Sequence, residues 1–140
     1  MSDQAGIDYR QVEAGYEFPP GDFKLDALTV SNFLAAVGNN NPLYMGTGLV
    51  PPMAVAALAM ATLSQTISLP PGSIHVSQEV EFKDTVKIEG SLTSYARISR
   101  TQRRGKLHML TVDLDVRNQD RKTVLTGKTS FILPQQEDGE

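Results

Sequence analysis

The stretch PMAVAALAMATLSQTI, residues 52–67, separates a helical half of the chain from a strand-forming half. It is almost entirely apolar as far as Ser64, and alanine, the strongest helix former, recurs through it. The prolines at positions 51 and 52 suit a helix start, where the first N–H groups have no intrahelical acceptor. Because a helix without a polar face must be covered on most sides, we expect a helix from Pro52 to about Ile67 at the centre of the domain.

Beyond Ser73 the apolar residues recur at every second position, which is the period of a β-strand. The segment from His108 to Arg117 is the clearest case, because His108 and four aliphatic residues alternate with mainly polar ones. Further strands are predicted over residues 74–82, 86–92 and 124–133, with turns at 83–84 and 118–120. Long strands with short connections favour an antiparallel sheet. We therefore predict an α+β fold in which a long antiparallel sheet wraps around the central apolar helix.

A shorter helix is predicted before the central one. Apolar residues at helical spacing place it from Thr29 or Ser31 to about Val37, with Thr29 as the N-cap and Gly38 at its end. We expect a single domain over residues 1–140, in which 1–24 form an N-terminal extension and 135–140 a polar tail. Such a sheet leaves an exposed face or edge, so we also expect pairing across a two-fold axis.

Composition excludes several classes of function. The chain has 13 basic and 16 acidic residues and a formal charge of -3, whereas proteins that grip nucleic acid usually carry a positive excess. It has no cysteine, and its two histidines, His75 and His108, lack metal-ligand spacing, so we expect neither a metal nor another cofactor. The longest apolar run, residues 49–63, contains two prolines and is too short for a membrane span. The N-terminus has no secretion signal, so we expect a cytoplasmic protein without a membrane partner.

The segment FLAAVGNNNPLY, residues 33–44, carries the functional signal. It resembles the signature of the MaoC-like (R)-specific enoyl-CoA hydratases and dehydratases, which have the hot-dog fold. That signature contains an aromatic residue, then aliphatic residues, then Gly-Asp-x-Asn-Pro-aliphatic-His. The matching residues are Phe33, Gly38, Asn41, Pro42 and Leu43. Asn39 stands at the position of the family's catalytic aspartate, and Tyr44 at the position of its catalytic histidine.

These two replacements remove the proton transfer that the resemblance implies. Hydration of an enoyl thioester needs a base that accepts a proton from water and an acid that protonates the α-carbon. The amide of Asn39 does not titrate, and the phenol of Tyr44, with a reference pKa near 10, is a poor base at neutral pH. We therefore expect a family member whose standard catalytic dyad is absent.

The resemblance also implies an acyl-thioester site. In the family, a backbone N–H at the start of the central helix polarises the thioester carbonyl, and the acyl chain lies along that helix. In this chain the first such N–H after the prolines belongs to Met53, and Ala57 is small enough to leave room beside the helix. Asn41 and Pro42 of the motif complete the predicted substrate-binding residues at this end.

Three groups of residues have more than one interpretation. A basic cluster within residues 97–106 suggests a solvated hairpin tip, or a site in which Arg103 and Arg104 bind the phosphates of coenzyme A. The motif loop is also consistent with a helix exit whose asparagines bond the local backbone. The acidic side chains near these strands, Glu79, Glu81 and Asp84, are candidates for a relocated base, and nothing in the sequence selects one of them.

Three functions therefore remain open at the level of sequence. The first is a subunit that binds acyl-CoA or acyl-carrier thioesters beside a catalytic hot-dog partner, because heteromers of this family divide these roles. The second is a divergent hydratase, dehydratase or thioesterase that uses other residues. The third is a non-catalytic homodimer that binds a ligand without thioester chemistry.

Overall fold

The computed structural model describes residues 13–44 and 46–134, together with the backbone of residues 7–8. The helices are α1 (Ala27–Ala36) and α2 (Pro52–Ser64), with a 3-10 turn at Pro42–Tyr44 between them. The strands are β1 (Ile7–Asp8), β2 (Gly21–Lys24), β3 (Ile67–Ser68), β4 (Ile74–Phe82), β5 (Ser91–Arg104), β6 (Leu107–Asn118) and β7 (Thr123–Pro134). Five strands form one antiparallel sheet in the order β2-β5-β6-β7-β4, and β1 pairs with β3 in parallel.

The sheet packs one face against α2, which confirms the predicted α+β fold with a central apolar helix. On α2 the buried side chains are Ala54, Val55, Ala56, Ala59 and Leu63. On β6 the alternate residues that face them are at most 3% exposed, from Leu110 to Val116. The alanines permit close approach, and a side chain at Gly21 of β2 would collide with the Thr62 methyl group.

The first helix begins earlier than the sequence predicts. Asp26, not Thr29, is the N-cap, because its Oδ1 accepts the Thr29 N–H at 2.8 Å. This bond to the helix N-terminus also holds the pKa of the Asp26 carboxyl below its ordinary value. The helix ends at Ala36, and Gly38 follows with φ +69°, the left-handed conformation expected just beyond a helix.

Three predicted boundaries require correction. Helix α2 ends at Ser64, three residues before Ile67, because the chain then extends to pair with residues 7–8. The strand predicted over 86–92 is a loop as far as Gly90, since Glu89 has φ +71° and β5 starts only at Ser91. Residues 21–24 are not an extension but the edge strand β2, in which Phe23 pairs with Leu92. The predicted tail, 135–140, lies outside the described residues.

Strand β4 is an open sheet edge. Eight of its nine residues are exposed, and they include Ile74, Val76 and Phe82, which are 56%, 43% and 40% exposed. Its other side pairs with β7, so one row of backbone N–H and C=O groups stays available to another strand. Among the described residues, neither helix has the length and continuous apolarity that crossing a bilayer requires.

The first prediction tests the close packing of α2. Ala59 is 0% exposed, so Ala59→Leu should overpack the helix–sheet contact and lower the free energy of unfolding by about 1–3 kcal/mol. Ala61 is exposed on the same helix, so Ala61→Leu is the matched control and should change stability little. Urea denaturation of both variants gives the comparison, and equal stabilities would contradict the packing described above.

Candidate functional site

The motif loop after α1 is organised by its own asparagines. Asn39 Oδ1 accepts the Asn41 N–H, and Asn41 Oδ1 accepts the Leu43 N–H, each at 2.9 Å. The Tyr44 N–H then donates to the Asn41 carbonyl at 3.1 Å, which forms the short 3-10 turn. The loop is therefore a pair of successive Asx turns, after which Tyr44 lies near the start of α2.

An apolar cavity of about 450 Å³ lies between this loop, the start of α2 and the loop after β4. This volume falls in the range of small-molecule sites, roughly 300–1,000 Å³. Tyr44 lines it as a half-buried side chain, and Pro52 and Val55 line it from α2. The other apolar lining residues are Leu43, Leu49, Val50, Phe82, Val86 and Val124.

Two ion pairs lie where the loop after β4 borders the cavity. Asp84 lines the cavity and binds Lys122 of the β6–β7 turn at 2.8 Å, while Lys83 lies 3.0 Å from Glu81. The Lys122 ammonium and the Thr85 N–H hold the pKa of the Asp84 carboxyl below its ordinary value. Asp84 is thus a carboxylate at neutral pH, and its pairing with Lys122 joins the two loops beside the cavity.

The start of α2, where Pro52 lines the cavity, leaves one backbone N–H group without an acceptor. Pro51 and Pro52 have no N–H, and the Ala54 N–H already donates to the Pro51 carbonyl at 2.9 Å. The N–H of Met53 has no acceptor among the described residues, so it is the free donor of the helix N-terminus. The Met53 side chain is 53% exposed, and Ala57, one turn later, is exposed on the same helix.

The structure does not bring all the predicted site residues together. Tyr44 lines the apolar cavity, whereas Asn39, Asn41 and Pro42 line a separate, wide-open depression of about 670 Å³. Asn39 uses its side-chain oxygen to hold the Asn41 N–H, in agreement with the plainer interpretation of the loop. The two positions of the family dyad therefore face different concavities in this chain.

The predicted phosphate contacts lie far from the cavity. Arg103 and Arg104 end β5 beside the two-residue turn at Gly105, which confirms a hairpin tip there. That tip adjoins the end of β7 at Pro134, while the cavity adjoins its start at Val124, ten residues or roughly 33 Å away. Arg103 pairs with His108 of the helix-facing side, so the two arginines project from opposite faces of the sheet.

The structure distinguishes between the three acidic candidates. Asp84 lines the same cavity as Tyr44, whereas Glu79 and Glu81 line a notch on the outer face of the sheet. Their strand alternation explains this, because Glu79 pairs with Lys128 and Glu81 with Thr126, both on the face away from α2. The sequence identifies Asp84 only as one of three acidic candidates, because which of them lines the cavity depends on the β4–β7 register and on the contact with Lys122.

Neither histidine belongs to the candidate site. His75 Nε2 lies 2.6 Å from Oγ1 of the buried Thr129, and its ring lies 5.0 Å from the Phe131 ring. Burial, and then the charge of Arg103, lower the pKa of His108. Neither histidine lines the cavity, and among the described residues no cluster of His, Cys, Asp or Glu could hold a metal ion.

Known structures with the same fold include an enzyme and two assemblies. The (R)-hydratase from A. caviae involved in PHA biosynthesis is 21% identical, with a TM-score of 0.75 over 89% of this chain and 99% of that one. The C-terminally truncated HadBC complex, a (3R)-hydroxyacyl-ACP dehydratase from Mycobacterium tuberculosis, is 18% identical, with a TM-score of 0.71 over 87% and 98% of the two chains. The ChsH1-ChsH2 complex of that organism is 12% identical, with a TM-score of 0.70 over 88% and 98%.

At the level of sequence, no curated protein matches the chain significantly. A family model does match it, over residues 13–127, and describes the dehydratase domain region of FAS1-like proteins. The matched range contains the motif loop, α2 and the cavity. The chain therefore belongs to the FAS1-like dehydratase-domain family and has the hot-dog fold of the (R)-hydratases, as its resemblance to MaoC-like proteins predicts.

Proposed function

We propose that this chain binds the acyl group of a coenzyme A or carrier-protein thioester and works beside a catalytic hot-dog subunit. The observation that carries the proposal is the apolar cavity of about 450 Å³ that opens between the family's motif loop and the start of α2. Its walls are mainly aliphatic, which suits a hydrocarbon chain at about 0.8 kcal/mol for each buried methylene. The Met53 N–H, left without an acceptor among the described residues, is the proposed donor to the thioester carbonyl.

The chemistry of the two dyad positions supports a binding role over hydration. Asn39 bonds the Asn41 backbone and cannot accept a proton from water, and its side chain borders a different concavity from Tyr44. A general base typically contributes about 10²–10⁴-fold to a rate, so a chain without one is a poor hydratase. In the proposed assembly, the partner subunit supplies the proton transfer while this chain accommodates the acyl group.

The other residues predicted to bind the substrate also have roles in this proposal. Met53 and Ala57 are exposed on α2, and we assign them to the acyl chain where it passes between the two subunits. Asn41 and Pro42 fix the loop that carries Tyr44. Because the tip with Arg103 and Arg104 is roughly 33 Å from the cavity along β7, these arginines do not contact a ligand in this cavity. Since their side chains project from opposite faces of the sheet, only one of them would meet the phosphates of a ligand whose acyl group lies in the partner.

A rim substitution tests the cavity without disturbing the core. Leu43 is 52% exposed and lines the cavity, so Leu43→Trp should obstruct its mouth. If two methylenes lose their burial, affinity for a long acyl-CoA should fall by about tenfold. Calorimetry with an acyl-CoA series, on the chain alone and with its partner, measures this effect.

The matched control for that experiment is on α1. Leu28 is 68% exposed and does not line the cavity, so Leu28→Trp should leave acyl-CoA affinity unchanged. Melting temperatures of both variants show whether either fold is perturbed. Binding that tightens with chain length and is lost only in Leu43→Trp supports the proposal, whereas no heat with any thioester would remove it.

A second candidate function is a divergent hydratase, and one observation favours it. Asp84 and Tyr44 line the same cavity, so a carboxylate and a phenol border one ligand space. Against this role, the Lys122 ammonium lowers the pKa of Asp84, which weakens the carboxylate as a proton acceptor at neutral pH. The third function open from sequence, a ligand-binding homodimer, has no comparable observation in its favour.

Crotonyl-CoA hydration separates these candidates. The chain alone should hydrate crotonyl-CoA no faster than the uncatalysed reaction, because neither Asn39 nor Tyr44 can exchange the proton. The combined substitutions Asn39→Asp and Tyr44→His should restore turnover if the loop adopts the family geometry on binding, with either single change as the control. Robust wild-type hydration that disappears in Asp84→Asn would instead establish the divergent enzyme.

The assembly in this proposal uses the open edge of β4. An antiparallel strand from a second hot-dog chain would satisfy the free backbone groups of β4 and cover Val76, which is 43% exposed. A Lys at this position opposes strand addition, so Val76→Lys should yield monomers, while Val37→Lys, at a similarly exposed valine outside β4, should not. Light scattering at micromolar concentration measures the mass, and a monomeric wild type, with and without a candidate partner, would contradict the assembly.

A further inference from the structure

The face of the sheet that points away from α2 carries a further concavity of about 420 Å³, lined mainly by residues with polar side chains. It crosses β5, β6 and β7, and its lining residues are Ser99, Arg100, Gln102, Met109, Thr111, Lys128 and Ser130. Thr111 lies between Leu110 and Val112, which are both 0% exposed, so strand alternation places Thr111 on the outer face. This concavity therefore has no wall in common with the apolar cavity.

A β-bulge builds one side of this concavity. The β5–β6 register shifts between Ile98 and Arg100, so Ser99 is the extra residue and Arg100 pairs with Thr111. A bulge re-aims the side chains around it, and here Ser99 and Arg100 both border the same space. Hydroxyl groups line the opposite side, since Thr111 Oγ1 lies 3.1 Å from Ser130 Oγ.

The charges around this concavity favour an anion. Arg100 donates to the neutral Gln102 Oε1 at 2.9 Å, and none of the ion pairs among the described residues includes it. Lys128 and Arg97 share a single carboxylate, Asp113, at 2.8 and 3.6 Å. Glu79 of β4 lies opposite Lys128 in the strand register, on the side away from Arg100. Three cations therefore face two carboxylates here, and the unpaired charge is the guanidinium of Arg100.

We propose that this outer-face concavity is a phosphate-binding site in which Arg100 and Lys128 hold the phosphate and the hydroxyls of Thr111 and Ser130 bond its oxygens. The Ser99 hydroxyl, which donates to the Thr111 carbonyl at 3.4 Å, exchanges this long bond for one to the phosphate. The planar guanidinium of Arg100 offers two parallel N–H donors to phosphate oxygens, and the Lys128 ammonium adds a compact charge from the neighbouring side. The ligand class is a phosphate monoester or free phosphate. The site goes beyond the proposed acyl-binding function, because it shares no residue with that cavity.

Inorganic phosphate is the first probe, with the intact chain observed by amide NMR. The largest shifts should fall at Ser99, Thr111 and Ser130, with a dissociation constant in the millimolar range expected for a few charge-assisted bonds. Shifts centred on Gly105 at the hairpin tip, or no saturable shift up to about 100 mM phosphate, would overturn the site. Because acyl binding is measured separately, failure of one proposal leaves the other standing.

Variants then test the assigned roles. Arg100→Gln should raise the dissociation constant for phosphate by about tenfold, whereas Arg100→Lys, which keeps the charge without the fork, should have a smaller effect. Arg121→Gln removes the same charge at the exposed β6–β7 turn and is the matched control. Equal weakening by Arg100→Gln and Arg121→Gln would contradict a defined site, because affinity would then follow net charge alone.

The source of the phosphate is resolved by two further ligands. Coenzyme A and its form without the 3′-phosphate differ by one phosphate monoester. Stronger shifts at Thr111 and Ser130 with the complete coenzyme support the site with a nucleotide phosphate as its ligand. Equal shifts with the two ligands, together with saturable inorganic phosphate binding, support the site with free phosphate as its ligand.

Discussion

The burial of α2 against one face of the five-stranded sheet is the contact on which the other features depend. Ala54, Ala56 and Ala59 are at most 2% exposed, and their small side chains allow the strands to approach the helix backbone. The sheet packs its apolar face on α2, and the alternation of side chains along its strands leaves a polar face on the other side. The start of α2 lies beside the end of β4 and the start of β7, and the apolar cavity is the space between these elements.

The motif loop and the loop after β4 complete this cavity by different means. Two Asx turns fix the motif loop locally, within residues 39–43. The loop after β4 is fixed by contacts distant in sequence, since Lys83 N–H donates to the Val124 carbonyl at 2.8 Å and Asp84 pairs with Lys122. Asn39, at a dyad position, therefore has a structural role in this chain, because its side-chain oxygen forms the first of these turns.

The sequence predicts the central helix because its apolar run is nearly uninterrupted, and it predicts β4, β6 and β7 because apolar residues recur at every second position. Strand β5, the longest, lies mostly beyond the strand predicted over residues 86–92. It fails where two residues compete for one local role and where long-range contacts decide the outcome. Thr29 is a good N-cap by type, but the carboxylate of Asp26 takes that position and binds the Thr29 N–H. Residues 21–24 carry one aromatic residue, too little to predict a strand, and form one because β5 offers an unpaired edge. The same limit applies to the site, where Asp84 and the Ser99 bulge are placed by strand register.

The proposed function as a whole depends on the cavity at the start of α2 receiving an acyl group. The decisive measurement is a crystal structure of the intact chain, with its partner if one is required, in complex with a long-chain 2-oxoalkyl-CoA, a thioether that keeps a ketone carbonyl and cannot be hydrolysed. We expect the hydrocarbon chain to lie between Tyr44, Val55 and Val124, with the carbonyl oxygen at the Met53 N–H. An analogue bound with its hydrocarbon chain elsewhere, and this cavity occupied only by solvent, would contradict it.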